Sequence, residues 1–185
     1  NKPVYAFEEA DSKKRMLLGG KGAGLSEMTR LKLPVPPGFT ITTEVCNKYY
    51  DNNRKLPKDV MPAVMKNIAK MEKKTGKKWN STKNPLLVSV RSGAAISMPG
   101  MMDTILNLGL NEKTVEGFAE QTKNPRFSWD SYRRFIQLFG KVVFGVNDEK
   151  FDHVLDAAKE KQGVIDDSKL NVESLKTIVK EYKKI

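Results

Sequence analysis

The chain has 185 residues and a formal net charge of +11, a size that suits one ordinary domain or two small lobes. Its basic excess is compatible with an anionic partner, but dispersed helical lysines usually form a solvated face. The single cysteine, Cys46, excludes a disulfide framework and a cysteine-rich metal site. The helical pattern around Cys46 predicts a small buried side chain. No apolar run approaches bilayer length, so we expect no membrane partner and a cytoplasmic location, or an organellar one if the source is eukaryotic.

The two ends of the sequence predict a piece of a longer protein. The chain begins at Asn1 rather than at a methionine, and it stops at Ile185 inside a predicted helix. An active site shared with further chain would then be only partly represented here.

The first motif is a glycine-rich run that follows the predicted strand Val4–Phe7. It reads GGKGAG at 19–24, and apolar residues at helical spacing after it predict a helix that begins near Gly22 or Ala23. Glycines before a helix N-terminus, together with Lys21, are typical of an anion site. The order is not that of a Walker A loop, in which the lysine follows the last glycine. Phosphate binding and a tight turn that needs small residues both remain open.

The second motif is a strand, a loop of small residues and a returning strand. The apolar run Leu86–Val90 predicts a buried strand that ends at Arg91, and apolar character resumes at Ile105–Leu110. The loop between them has no charge before Asp103. Its uncovered backbone groups suit close approach to a ligand, and Arg91 offers a planar fork for phosphate oxygens. The alternative is a long hairpin whose methionines fill the core.

The other elements predict an α+β fold. A strand follows the proline-rich linker, and a helix through Tyr50 precedes another at about Lys58–Thr75. Beyond Leu110 the periodicity is helical throughout. The predicted helices there are a first helix capped by Asn111, Ser128–Phe144, Asp148–Lys161 and Asn171–Ile185. We therefore expect a mixed α/β lobe at residues 1–110 and an all-helical subdomain at 111–185.

The titratable residues give no catalytic or metal site. His153 is the only histidine, and it lies in a predicted helix with no serine, cysteine or second histidine at a catalytic spacing. Adjacent carboxylates such as those at 8–9 and 166–167 are more often surface charge than ligands. We expect neither catalytic residues nor metal ligands in this chain.

Six runs of sequence together resemble the N-terminal nucleotide-binding domain of the pyruvate, phosphate dikinase family. They are LLGGKGAGL at 17–25, PPGFTITT at 36–43, LLVSVRSGA at 86–94, SMPGMMDTILNLG at 97–109, NPRF at 124–127 and YRRFI at 132–136. The resemblance covers nearly the whole chain. The run at 97–109 goes beyond the pattern shared with phosphoenolpyruvate synthase and glucan, water dikinase.

The resemblance implies the N-terminal portion of an ATP-grasp-like domain that binds Mg-ATP between two lobes. In the family, the β-phosphoryl group of ATP passes to a histidine on a separate mobile domain, and inorganic phosphate takes the γ-phosphoryl group. A distant barrel domain then interconverts pyruvate and phosphoenolpyruvate. The implied partners are ATP, the phosphohistidine and barrel domains of a parent chain, and a second parent chain in a homodimer.

The resemblance also assigns nucleotide-binding residues. The matching positions are Lys21 and Arg91 for the nucleotide phosphates, and Gly100, Met101, Asp103 and Thr104 for the loop that closes over the nucleotide. The family's Mg²⁺ ligands and phosphocarrier histidine lie outside this chain, so we expect it to be inactive alone. Two alternatives stay open: a related phosphoenolpyruvate synthase or water dikinase domain, and a basic nucleic-acid-binding module, whose affinity would fall steeply with salt.

Overall fold

The computed structural model describes residues 1–94 and 103–185. The described chain divides into two compact units. The first unit contains Asn1–Lys77 and the described residues from Ser92 to Ala94, and the second contains Lys78–Arg91 and Asp103–Ile185. No helix in the described ranges is both long and apolar enough to cross a membrane.

The first unit combines a small antiparallel sheet with three helices. Its strands pair Val4 with Ile41, Tyr5 with Thr40 and Ala6 with Phe39. The elements are β1 (Val4–Ala6), α1 (Arg15–Arg30), β2 (Phe39–Ile41), α2 (Thr43–Asp51) and α3 (Val60–Thr75).

The core of the first unit follows from strand alternation and helical periodicity. Val4 and Ala6 point inward on β1, as the two-residue period of a strand requires. Val60 and Ile68 lie two turns apart on one face of α3, and both are buried. The helix ends where Gly76 adopts a left-handed conformation with φ 70°.

The second unit places four helices beside an antiparallel hairpin. The hairpin pairs Arg91 with Thr104 and Val90 with Ile105, with an irregularity between Val88 and Val90. The elements are β3 (Val88–Arg91), β4 (Thr104–Leu108), α4 (Thr114–Thr122), α5 (Pro125–Phe144), α6 (Asp148–Gln162) and α7 (Val172–Tyr182), with a short 3₁₀ helix at Asp167–Lys169.

The core of the second unit is built mainly from α5, α6 and α7. Phe151 and Tyr182 meet edge to face with ring centroids 4.9 Å apart. Gly140 allows this close packing, because a Cβ there would lie 2.7 Å from the Phe151 ring. Leu175 is completely buried beside these rings. The asparagine Asn124 caps α5 by accepting a hydrogen bond from the Phe127 amide.

The predicted α+β class is confirmed, the helix of the glycine-rich run starts close to where it was predicted, and one local prediction is wrong. Gly19, with φ 72° and ψ 165°, is not helical and forms a kink between a short first turn at 15–18 and the helix that runs on from Gly20, close to the start predicted near Gly22. Cys46 is exposed on α2 rather than buried. Backbone contacts group the hairpin with the C-terminal helices. The functional lobes expected at 1–110 and 111–185 stay a prediction.

Candidate functional site

Lys21 lies two residues beyond the sharp kink that Gly19 forms in α1. We call Gly19–Lys21 the elbow. The φ of 72° and ψ of 165° at Gly19 are open to glycine and strained for other residues. A Cβ on Gly19 would lie 3.5 Å from the Ala94 oxygen, which is ordinary contact. The backbone angles, rather than lack of space, therefore require glycine here.

Two hydrogen bonds join the elbow to the chain that follows β3. The Gly20 amide donates to the Ala94 carbonyl at 2.8 Å. The Lys21 ammonium donates to the Ser92 carbonyl at 3.1 Å. A lysine ammonium has three donors, and this contact uses one of them; a neutral carbonyl does not compensate the positive charge. The arrangement can receive an anion at Lys21.

The other glycines of the run have separate explanations. A Cβ on Gly22 would lie 2.8 Å from Thr40 Oγ1, so Gly22 lets α1 approach β2 closely. A Cβ on Gly24 would meet nothing within 4 Å. The tight-packing interpretation is thus correct for Gly22, and it leaves the interpretation of Lys21 as an anion ligand untouched.

Three of the predicted site residues lie together at one end of the hairpin in the second unit. Arg91 ends β3 with its side chain exposed, and its Cα partner in the sheet is Thr104, the half-buried first residue of β4. Asp103 precedes Thr104 and is exposed. The pKa of Lys141 is raised by its hydrogen bond to Asp148, and the negative charge of Asp103 contributes to the same shift.

Two further predicted residues, Gly100 and Met101, lie outside the described residues. The structure thus positions Lys21 within the first unit and the residues at 91, 103 and 104 within the second.

Sequence reasoning missed the acceptors that hold Lys21. The Ser92 and Ala94 carbonyls are backbone groups, and Ser92 lies 71 residues from Lys21 along the chain. The signal available was the small-residue composition of S-G-A-A, which indicates uncovered backbone. The composition does not predict which backbone carbonyls accept hydrogen bonds or which groups donate to them.

Sequence reasoning also missed a buried ion pair in the second unit. The Arg133 guanidinium is 2% exposed and lies 2.7 Å from Asp130 and 3.4 Å from Asp167. Burial is the largest single influence and opposes the charge, but the attraction of Asp130 and Tyr182 together outweighs it and raises the pKa of Arg133. The other carboxylate oxygen of Asp130 accepts from the exposed Arg134 at 3.1 Å. The sequence did contain a signal for these ion pairs, because Arg133 and Arg134 follow Asp130 at the i,i+3 and i,i+4 spacings of helical neighbours.

No group of three histidine, cysteine, aspartate or glutamate side chains at 1–94 or 103–185 is arranged to hold a metal ion. His153 is exposed on α6.

Comparison with known families identifies the type of domain. A family profile described as "Pyruvate phosphate dikinase, AMP/ATP-binding domain" matches residues 15–55 and 52–184. The chain belongs to this family. Its matched segments include the elbow, the hairpin and all seven α-helices described above. The resemblance predicted from the sequence runs is confirmed.

Individual relatives support the same family. The chain is 54% identical over 179 residues to the pyruvate, phosphate dikinase of Entamoeba histolytica. It is 50% identical over 182 residues to that of Clostridium symbiosum and 44% identical over 190 residues to that of Rickettsia typhi. The alignments cover 97%, 98% and 100% of this chain but only 20%, 21% and 22% of the respective relatives. The chain spans about a fifth of their length.

Proposed function

We propose that this chain forms part of the ATP site of a pyruvate, phosphate dikinase. The parent enzyme would interconvert ATP, phosphate and pyruvate with AMP, diphosphate and phosphoenolpyruvate. The observation that best supports this role is the Lys21 ammonium, which uses one of its three donors on a backbone carbonyl at 3.1 Å, a neutral group that does not compensate its charge. Membership of a family described as AMP/ATP-binding supplies the ligand class.

In this proposal Lys21 and Arg91 neutralise the phosphate groups of the bound nucleotide. A transferring phosphoryl group spreads negative charge over its oxygens, and catalysis of its transfer is mainly positioning and electrostatic stabilisation. Lys21 acts as a compact point charge, whereas Arg91 presents a planar fork that can take two oxygens. The residues at 100, 101, 103 and 104 match the family loop that closes over the nucleotide, and they have that role in the proposal.

The remaining parts belong to the rest of the proposed parent. They are the Mg²⁺ ligands, the histidine that receives the β-phosphoryl group and the domain that binds pyruvate and phosphoenolpyruvate. The described residues form no metal cluster, so no step through Mg²⁺ is assigned to this chain. The homodimer and the cytoplasmic or organellar location are further parts of the proposal.

The experiment that tests the reaction measures AMP formation by the full-length protein that contains this chain. ATP and pyruvate are supplied with and without inorganic phosphate. Strict dependence on phosphate, with diphosphate formed alongside AMP, supports the proposal. AMP formation without added phosphate would favour a phosphoenolpyruvate synthase or another water dikinase. No AMP under either condition would refute the proposed reaction.

The residue assignment needs its own variants. Lys21→Met removes the ammonium but keeps an unbranched side chain of similar length, and Lys66→Met makes the same change at an exposed position on α3. We expect Lys21→Met to lower kcat/KM for ATP by at least about tenfold, since a charge-assisted hydrogen bond is worth about 1.5–3 kcal/mol. Lys66→Met should leave it unchanged. Equal behaviour of the two variants would refute the assignment of Lys21.

A further inference from the structure

We infer that Gly19 is a positioning residue for Lys21, acting through the kink that it introduces into α1. The inference rests on the proposed function, because it concerns the lysine assigned to the nucleotide phosphates. The proposed function gives Gly19 no contact with the nucleotide, and the inference explains why a glycine is needed at this position.

The kink redirects one particular hydrogen bond of the helix. In an uninterrupted helix, the Gly20 amide would donate to the carbonyl four residues earlier, which belongs to Met16. At the kink these two groups have different partners. The Gly20 amide donates to the Ala94 carbonyl at 2.8 Å, and the Met16 carbonyl accepts from Thr43 Oγ1 at 2.7 Å. Both groups released by the kink are therefore satisfied by other parts of the same unit.

The redirected amide fixes the neighbour of Lys21 against the same short segment that holds its ammonium. Gly20 and Lys21 are consecutive, and their acceptors Ala94 and Ser92 lie two residues apart. The backbone bond sets the spacing between the elbow and this segment, and the lysine then reaches the Ser92 carbonyl from its half-buried position. A lysine side chain is otherwise flexible over its four-carbon stem.

Holding the ammonium before a ligand arrives reduces the ordering needed on binding. Any residue other than glycine at position 19 is strained at the observed φ of 72°. Loss of the kink would return the Gly20 amide towards Met16, release Ala94 and let the Lys21 ammonium move away from Ser92. The consequence is weaker binding of the nucleotide phosphates with the lysine still present.

The test is a double-mutant cycle in the full-length protein that contains this chain. The variants are Gly19→Ala, Lys21→Met and the two combined, with Gly24→Ala as the matched control. Gly24 lies in the same helix, and a Cβ there meets nothing within 4 Å. The measured quantities are kcat and KM for ATP, and KM for pyruvate serves as a reference for the proposed distant site.

We expect Gly19→Ala to lower kcat/KM for ATP by at least about tenfold and Gly24→Ala to leave it unchanged. The decisive result is the double variant. If Gly19 acts through Lys21, the combined loss is no greater than that of Lys21→Met alone, because coupled residues are not additive. A glycine that serves only to fold the unit would give losses that multiply.

If Gly19→Ala does not fold, the variant Thr43→Val tests the same inference with a smaller structural change. Thr43→Val removes the hydroxyl that occupies the Met16 carbonyl and keeps the shape of the side chain. One net hydrogen bond corresponds to a loss of about two- to tenfold in kcat/KM, and this loss should vanish when Lys21 is already methionine.

The possible failures are distinguishable. If Lys21→Met leaves kcat/KM for ATP unchanged, the proposed role of Lys21 fails, and the inference fails with it. If Lys21→Met is impaired but the losses from Gly19→Ala or Thr43→Val multiply with it, only the inference is overturned. The inference is also overturned if both of these variants are as active as wild type.

Discussion

Gly117 is the position where a single added methyl group should destabilise the chain most clearly. It lies in the middle of α4, and a Cβ there would lie 2.1 Å from the Thr82 oxygen and 2.5 Å from the Thr82 carbonyl carbon. These are backbone atoms, so no side-chain rotation relieves the clash. Gly117→Ala must therefore shift either the helix or the segment before β3.

Gly140 provides a matched comparison in the same unit. It is also a helical glycine, but the nearest atom to its added Cβ is the tip of the Phe151 ring at 2.7 Å. At both positions the higher helix propensity of alanine should stabilise the helix by about 1 kcal/mol relative to glycine. Overpacking costs about 1–3 kcal/mol, and the immovable backbone at Gly117 places it at the upper end. We expect a net loss of about 2 kcal/mol for Gly117→Ala and a smaller one for Gly140→Ala.

Urea unfolding of the 185-residue chain measures the difference. Both tryptophans, Trp79 and Trp129, belong to the second unit, so their fluorescence reports on the unit that contains both substitutions. With a slope of about 1–3 kcal/mol/M, the midpoint for Gly117→Ala should fall by about 1 M. A Gly140→Ala variant that is less stable than Gly117→Ala would refute this reasoning, as would a Gly117→Ala variant with the wild-type midpoint.

Three other predictions concern charge and capping. Arg133→Met should lower the free energy of unfolding by about 3–5 kcal/mol, because it leaves the poorly exposed Asp130 carboxylate without its buried partner. Arg134 is 63% exposed, so Arg134→Met should lower it by about 1 kcal/mol or less. Equal losses for the two variants would contradict the burial argument. Asn124→Ala should cost about 1 kcal/mol by removing the cap of α5, and an unchanged urea midpoint would count against that cap. The hydrogen bond from Lys74 lowers the pKa of Glu8 below 4.5, so the stabilisation is present above pH 4.5 and is lost as the pH falls through the lowered value. Lys74→Met should flatten that part of the stability profile, measured by urea midpoints between about pH 6 and pH 3, and a profile identical to wild type would refute the pairing.

Local sequence patterns predicted most of the elements, and their failures have local causes. The helical periodicity predicted a helix at Ser128–Phe144, which begins after the Asn124-Pro125 pair. The structure starts α5 at Pro125, since proline has no amide to lose in the first turn and Asn124 supplies the cap. The same pair of residues is therefore a helix start rather than an interruption.

The contacts of the candidate site could not be predicted in the same way. The partner of Lys21 is a backbone carbonyl, and every residue of the chain has one. Its choice depends on the kink at Gly19, and a glycine in a sequence permits a positive φ without requiring it. The family pattern predicted that Lys21 is a phosphate ligand, but only the fold shows what holds its side chain.

The two interpretations of the glycine-rich run turn out to be compatible. Gly19 supplies a backbone conformation, and Gly22 supplies room for Thr40, so both are explained without any ligand. At the same elbow the Gly20 amide donates to the Ala94 carbonyl, and the Lys21 ammonium donates to the Ser92 carbonyl with one of its three donors. A tight turn and the proposed phosphate site are therefore compatible, because the inferred role of the turn at Gly19 is to position the charge of Lys21. Substitutions that disturb only the packing should then be detected as weaker ATP binding, even though none of them removes a charge.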